Sequence, residues 1–202
     1  MQAALRNCEW DVFEAHYDHS SEPVRCVYRR AANESKFTPW VLVGPSALMR
    51  RLGLDGLGLY ALRGFKSGDY IGQFQGSDEG HFASRDEAMS SRRARQLLRQ
   101  GHDKLLTIRA SKGPGVQLID SETGGAPFLQ YSNDPRNTAL TPNTHVTPHG
   151  YMRVVHSRVS PFRFDRSLDE NVSAELRWDY GSGYWDFHDG PSASEESDDE
   201  SD

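Results

Sequence analysis

Cysteine is nearly absent from this chain: Cys8 and Cys26 are the only two among 202 residues. Two thiols cannot build a disulfide framework or a four-thiolate zinc site, so a reducing intracellular compartment is the expectation. Long apolar runs are lacking too. No stretch approaches the roughly 20 apolar residues of a membrane helix, and the N-terminus has no basic-then-apolar leader pattern. The chain therefore reads as soluble, without a membrane partner. No internal repeat is visible, and no serine, cysteine or carboxylate pair stands out as a nucleophilic or glycosidic site.

What is present is unevenly distributed. The formal net charge of −6 comes largely from the segment 189–202, where Asp189, Glu195, Glu196, Asp198, Asp199, Glu200 and Asp202 occur with no base. Without that segment the 23 bases face 29 less seven acids, a net charge of +1. The tail has no large apolar residue to offset the entropy of ordering, so it is expected to be disordered and solubilising. Contact with a basic partner is the alternative, and its serines could add charge if phosphorylated.

The pattern divides the chain into an N-terminal extension over 1–35, a domain over 36–188 and the acidic tail over 189–202. Leu5, Cys8, Val12 and Ala15 fall at helical spacing and predict a short N-terminal helix, with irregular chain from there to Lys36. Pro45 opens a second helix with Leu48, Met49 and Leu52 on its apolar side and Gly53 at its end. Short strands are expected over 58–62, 69–75, 104–109, 116–120 and 151–156. Ser84-Arg85-Asp86-Glu87 is a capping box for a helix reaching about Gln100. Its Arg92, Arg93, Arg95 and Arg99 suggest a solvated basic face. Without interleaved aromatics they argue against direct nucleic-acid binding, although a chromatin adaptor using this helix is one alternative. The stretch 121–150 reads as a long irregular loop, and loops of that length are usually functional. Many short strands with little helix predict a mainly β fold of small sheets. Cys8, His16, His19 and Cys26 match no defensible zinc spacing, so no metal is expected. His145 and His149 lie among Thr, Pro and Gly and read as loop.

Two strings carry chemistry. Gly56-Leu57-Gly58-Leu59-Tyr60-Ala61 is a glycine turn opening an apolar strand, where backbone can approach a ligand closely. It lacks the third glycine and following helix of a dinucleotide fingerprint. Glu175-Leu176-Arg177-Trp178-Asp179-Tyr180-Gly181 sets aromatics on either side of an acid. Between them lie Ile71-Gly72-Gln73-Phe74-Gln75-Gly76, and Ile119-Asp120 through Phe128-Leu129-Gln130-Tyr131-Ser132-Asn133-Asp134-Pro135. In this order the four segments resemble the motifs of the SET domain, the fold of most protein lysine methyltransferases, over residues 40–187. Its third motif, usually R-F-I-N-H-S-C-x-P-N, has Pro127 for the arginine, Gln130-Tyr131 for Asn-His and Asn133 for the cysteine.

The resemblance implies a SET fold of small β-sheets, with the third and fourth motifs threading past each other in a knot-like core. It implies S-adenosylmethionine as cofactor, held by Leu57, Gly58, Phe128, Gln130, Tyr131 and Tyr184. Tyr180 matches the catalytic tyrosine, and Phe74, Trp178 and Trp185 would line the lysine channel. Trp178 stands where the family has Phe or Tyr, and its bulk predicts mono- or at most dimethylation. Tyr184, Trp185 and Phe187 would cover the site, because the zinc-bound closing segment of many members has no cysteines here. The implied substrate is a peptide lysine, with histone tails as first guess, and the implied location is nuclear, or else cytoplasmic. A degenerate SET module that binds a protein partner without catalysis is the alternative that the altered third motif leaves open.

Overall fold

The computed structural model describes residues 8–15, 24–31, 38–74, 76–102, 105–110, 113–121, 128–155 and 158–181. Strands β1 (Cys8–Ala15), β2 (Val24–Ala31), β3 (Thr38–Pro45) and β4 (Leu57–Ala61) form one antiparallel sheet in chain order. This corrects two expectations, the N-terminal helix and the irregular chain after it. Each residue of β1 is registered against one of β2, and β2 in turn pairs with β3. Trp10 and Val12 alternate with Glu9 and Asp11, a period-two pattern that the hairpin satisfies and a four-residue helical stripe cannot outweigh. Cys8 lies opposite Ala31 and Cys26 opposite Phe13. Five ladder steps separate them, about 17 Å, so the two cysteine positions do not share a site. His16 and His19, like the tail 189–202, lie outside the described residues.

The other sheets are small and antiparallel. Strands β5 (Phe65–Lys66) and β12 (Arg158–Val159) pair. Strand β11 (Tyr151–Val154) lies between β6 (Tyr70–Gln73) and β10 (Thr144–Val146). Strand β9 (Val116–Asp120) lies between β7 (Ser77–Phe82) and β8 (Leu105–Arg109). The five strands expected from the sequence correspond to β4, β6, β8, β9 and β11. The described part of 121–150 is less irregular than expected, since it contains β10 and a 3-10 turn over Leu129–Tyr131. The fold is mainly β, with few short helices.

Helix α1 (Ala47–Arg51) starts at Ser46, whose Oγ accepts from Met49 N. The helix expected from Ser84 is two helices, α2 (Arg85–Ser90) and α3 (Arg92–Arg99). Ser84 caps α2 by accepting from Glu87 N, while Glu87 accepts from Ala83 N. Ser91 breaks the run: its backbone is extended (φ −64°, ψ 154°), and its Oγ accepts from Ala94 N at 3.1 Å. One serine thus ends α2 and caps α3. On α3, Arg93 pairs with Glu79 at 2.6 Å, while Arg92, Arg95 and Arg99 are exposed.

The main core joins β3 and β4 to β6, β11 and the 3-10 turn, through Trp40, Val41, Leu59, Ile71, Leu129, Met152 and Leu176. Each such side chain contributes about 1.5–3 kcal/mol on burial. Trp40 Nε1 donates to Ile71 O at 2.7 Å, fastening the first sheet to β6. A second cluster packs α2 and α3 onto β8 and β9 through Ala88, Met89, Leu97, Leu105 and Leu118. Among the described residues no helix is long and apolar enough to cross a membrane.

Candidate functional site

The segment 175–180 is the spine of the site. Leu176 N donates to Leu59 O at 2.7 Å, and Glu175 bridges to Tyr60, which lays the segment along β4. On its other side Asn133 forms a parallel bridge with Arg177, and Trp178 N donates to Asn133 O. Ser132 Oγ donates to Leu176 O at 2.8 Å. Asn143 adds side-chain pairing: its Nδ2 donates to Glu175 O and its Oδ1 accepts from Arg177 N, each at 2.8 Å. The segment therefore passes between β4 on one side and residues 132–134 and 143–144 on the other, with its buried backbone groups satisfied.

Glu175 is fully buried. Its carboxylate accepts from Ser46 Oγ at 2.6 Å, Leu48 N at 2.9 Å and Asn133 Nδ2 at 3.2 Å. Burial pushes its pKa up, against these three hydrogen bonds and the charge of Arg177, which favour the ionised form. Tyr60 Oη completes the α1 terminus by accepting from Ala47 N at 2.7 Å. The adjoining Ser46 and two side chains from elsewhere in the chain, Tyr60 and Glu175, thus satisfy the open N–H groups of α1. The Arg177 guanidinium is also buried, which lowers its pKa, and it donates to the carbonyls of Thr141, Val172 and Glu175.

From this spine Trp178 and Tyr180 project into an aromatic wall. The Trp178 ring stands 5.6 Å from Phe74 and 4.8 Å from Tyr180 by centroids. The Tyr180 hydroxyl donates to Ser132 O at 2.9 Å, and Asp134 accepts from Tyr180 N at 2.9 Å. The wall borders a cavity of about 40 Å³, enclosed also by Arg85 and Met89 of α2, Leu105, Leu106 and Thr107 of β8, Ser121 and Gln130. Three buried side-chain atoms among the described residues have no hydrogen-bond partner: Ser121 Oγ, Gln130 Oε1 and Trp178 Nε1. Unpaired buried polar atoms are rare in native structures and costly, and these three belong to residues of one cavity wall.

Four of the residues singled out from the sequence, Phe74, Gln130, Trp178 and Tyr180, line the cavity. Leu57 and Tyr131 are half-buried and pack against the same core cluster as Trp178, while Phe128 lies within it. The Leu57 carbonyl accepts from Asn133 Nδ2 at 2.8 Å. At Gly58 a Cβ would stand 2.6 Å from Glu175 Oε1, so the missing side chain makes room for a carboxylate of the chain itself. Tyr184, Trp185, Phe187 and Pro127 lie outside the described residues. Sequence reasoning missed Ser121, Arg85, Met89, Leu105, Leu106 and Thr107, which come from the residue after β9, from α2 and from β8 and reach the cavity only through packing. It also missed Asn133 and Asn143 as supports of the spine. No cluster of three His, Cys, Asp or Glu side chains among the described residues could hold a metal ion. No protein-family model matches the chain, and no curated protein matches it either.

Proposed function

We propose that this chain is an S-adenosylmethionine-dependent protein-lysine N-methyltransferase of the SET type. The observation that carries the reading is the cavity, bordered by an aromatic wall that ends on an anchored tyrosine. The passage of 175–180 along 132–134 supports it, because the motifs those segments resemble thread past each other in that fold.

For the cofactor the fit is partial. Leu57 and Tyr131, half-buried against the same cluster as Trp178, would hold it, whereas the Cβ side of Gly58 is taken by Glu175. When bound, S-adenosylmethionine supplies a sulfonium methyl group. The rest of the chemistry belongs to this chain. A lysine must be neutral to react, which costs about 4 kcal/mol near pH 7.4. Phe74, Met89, Leu105 and Trp178 disfavour its cation by excluding water. Tyr180, held in place through Ser132 O and Asp134, would help to position the amine, and the tight walls confine it to one approach. An extended peptide beside a sheet edge is the substrate form, with histone tails proposed by family analogy.

Glu175 filling the space at Gly58 favours a second reading, a partner-binding module without catalysis. Calorimetric titration with S-adenosylmethionine separates the two. The proposal expects saturable binding, then transfer of labelled methyl to mixed histones that falls a hundredfold or more in Tyr180→Phe. Absence of cofactor binding would leave the second reading.

A further inference from the structure

We propose that the arginine stripe of α3, formed by Arg92, Arg95 and Arg99, is the docking face for the chain's own acidic segment, residues 189–202. The inference goes beyond the reading above and does not depend on it, because the stripe lies outside the cavity and serves an active or an inactive chain alike.

The helix has two faces of different character. At 3.6 residues per turn Arg92, Arg95 and Arg99 fall within a sector of about 60°. Ala94, Leu97 and Leu98 point elsewhere, into the cluster that packs α3 onto β8 and β9. All three arginines are exposed. Arg93, off the stripe, is neutralised by Glu79 at 2.6 Å. Among the described residues no carboxylate lies within ion-pair distance of Arg92, Arg95 or Arg99. Like charges three and four residues apart weaken a helix, and α3 has only eight residues. An anion on the stripe removes that repulsion.

The acidic segment supplies the matching charge. Six of the eight residues from Glu195 to Asp202 are acids, and 189–202 contains no base. The described chain leads out beside α2: the Arg85 guanidinium lies 3.5 Å from Tyr180 O, and a Cβ on Gly181 would stand 3.8 Å from Arg85 Nη1. Even with α2 and α3 in line, Arg99 is no more than about 25 Å from Arg85. The 14 residues 182–195 extend to about 46–50 Å, so the acids reach the whole stripe. A tether of this length holds them at an effective concentration on the order of millimolar. A free polyanion such as duplex DNA must outcompete that concentration. It would find a body of net charge +1 and a helix without interleaved aromatics. Charge and connectivity together select the chain's own segment.

The test uses the full chain, isotopically labelled, with the N-acetylated peptide 189–202 as the undocked reference. In 0.1 M salt the amide resonances of Glu195–Asp202 in the chain should differ from those of the peptide. They should converge on the peptide values by 1 M salt, as the screening length falls from about 10 Å to 3 Å. Arg92→Gln, Arg95→Gln and Arg99→Gln combined should erase the difference at 0.1 M salt. Glutamine keeps nearly the helix propensity of arginine, and core amides in the same spectra verify the fold. The combined Arg50→Gln, Arg158→Gln and Arg163→Gln variant removes equal charge from other exposed positions and should retain the difference. The shifts should be identical at 20 and 200 μM protein. Segment resonances that already match the peptide at 0.1 M salt would overturn the inference, as would equal loss in the second variant. Shifts that grow with protein concentration would place the segment on a second copy, and α3 amides that respond to duplex DNA while the segment stays unmoved would assign the stripe to nucleic acid; either result refutes the proposal.

Discussion

Gly58 and Glu175 share one space: a Cβ on Gly58 would stand 2.6 Å from Glu175 Oε1, 3.0 Å from its Cδ and 3.1 Å from Ser46 Cα. The carboxylate is clamped by hydrogen bonds and the third neighbour is backbone, so neither can yield cheaply. Gly58→Ala is expected to lose about 1–3 kcal/mol. Gly64→Ala, whose Cβ would meet nothing nearer than Val159 O at 3.9 Å, should be close to neutral. Urea denaturation of the two variants checks the contrast.

Burial raises the Glu175 pKa above its ordinary 4.5. The folded state thus holds this proton more tightly than the unfolded state does. The group's contribution to stability is fully present below pH 4.5 and is lost as pH rises through the raised folded value. Glu175→Gln removes this dependence. The wild-type-minus-variant stability difference, from denaturation midpoints across pH 4 to 8, should fall with rising pH and then level off. A difference that grows with pH would contradict the sign.

Asn143 serves as a partner strand compressed into one side chain, closing both Glu175 O and Arg177 N. Asn143→Ala leaves the buried Arg177 N–H unpaired, while Glu175 O keeps the Arg177 guanidinium. The expected loss is about 1–3 kcal/mol, and Asn143→Asp should recover only the bond from Arg177 N. Thermal melts of both variants test the ranking.

Trp178 is packed between Phe74 and Tyr180. If the chain transfers methyl groups, wild-type products should be mono- and dimethyl-lysine. Trp178→Phe should shift the mixture toward higher states by freeing volume beside the nitrogen. Mass spectrometry of a histone substrate reads the distribution, and abundant trimethyl product from the wild type would refute the steric limit.

Local chemistry announced much of this fold and only part of the site. Strands β4, β6, β8, β9 and β11 were legible because glycines bound short apolar runs. The α2–α3 break was not inferred, although Ser90-Ser91 offered the signal, because a capping box and a continued helical pattern outweighed a single serine. Strand β1 was missed because a four-residue helical stripe outweighed its alternation, and β2 because its mixed, polar stretch read as irregular chain; their pairing with each other and with β3 decides both. Phe74, Gln130, Trp178 and Tyr180 stand in recognisable strings and meet at the cavity. Ser121 carries no sequence mark at all: its position after β9 is defined only once β7, β8 and β9 have packed. Glu175 stood inside a recognised string, but its partner Ser46 is 129 residues away, a distance no spacing argument covers.

The route of 175–180 also sets an order of events. Its long-range partners are separated from it by 32 to 129 residues, so forming these contacts demands closure of long loops, the slow step in assembling such topologies. On a ribosome, every surface that this segment touches among the described residues emerges before it does. A nascent chain can complete β3, β4 and β6 and still have no aromatic wall, so the chemistry of the cavity arrives in a single late docking step. A shortened chain lacking 175–181 should leave Leu48 N and the space beside Gly58 open, a natural point for quality control to recognise incomplete synthesis.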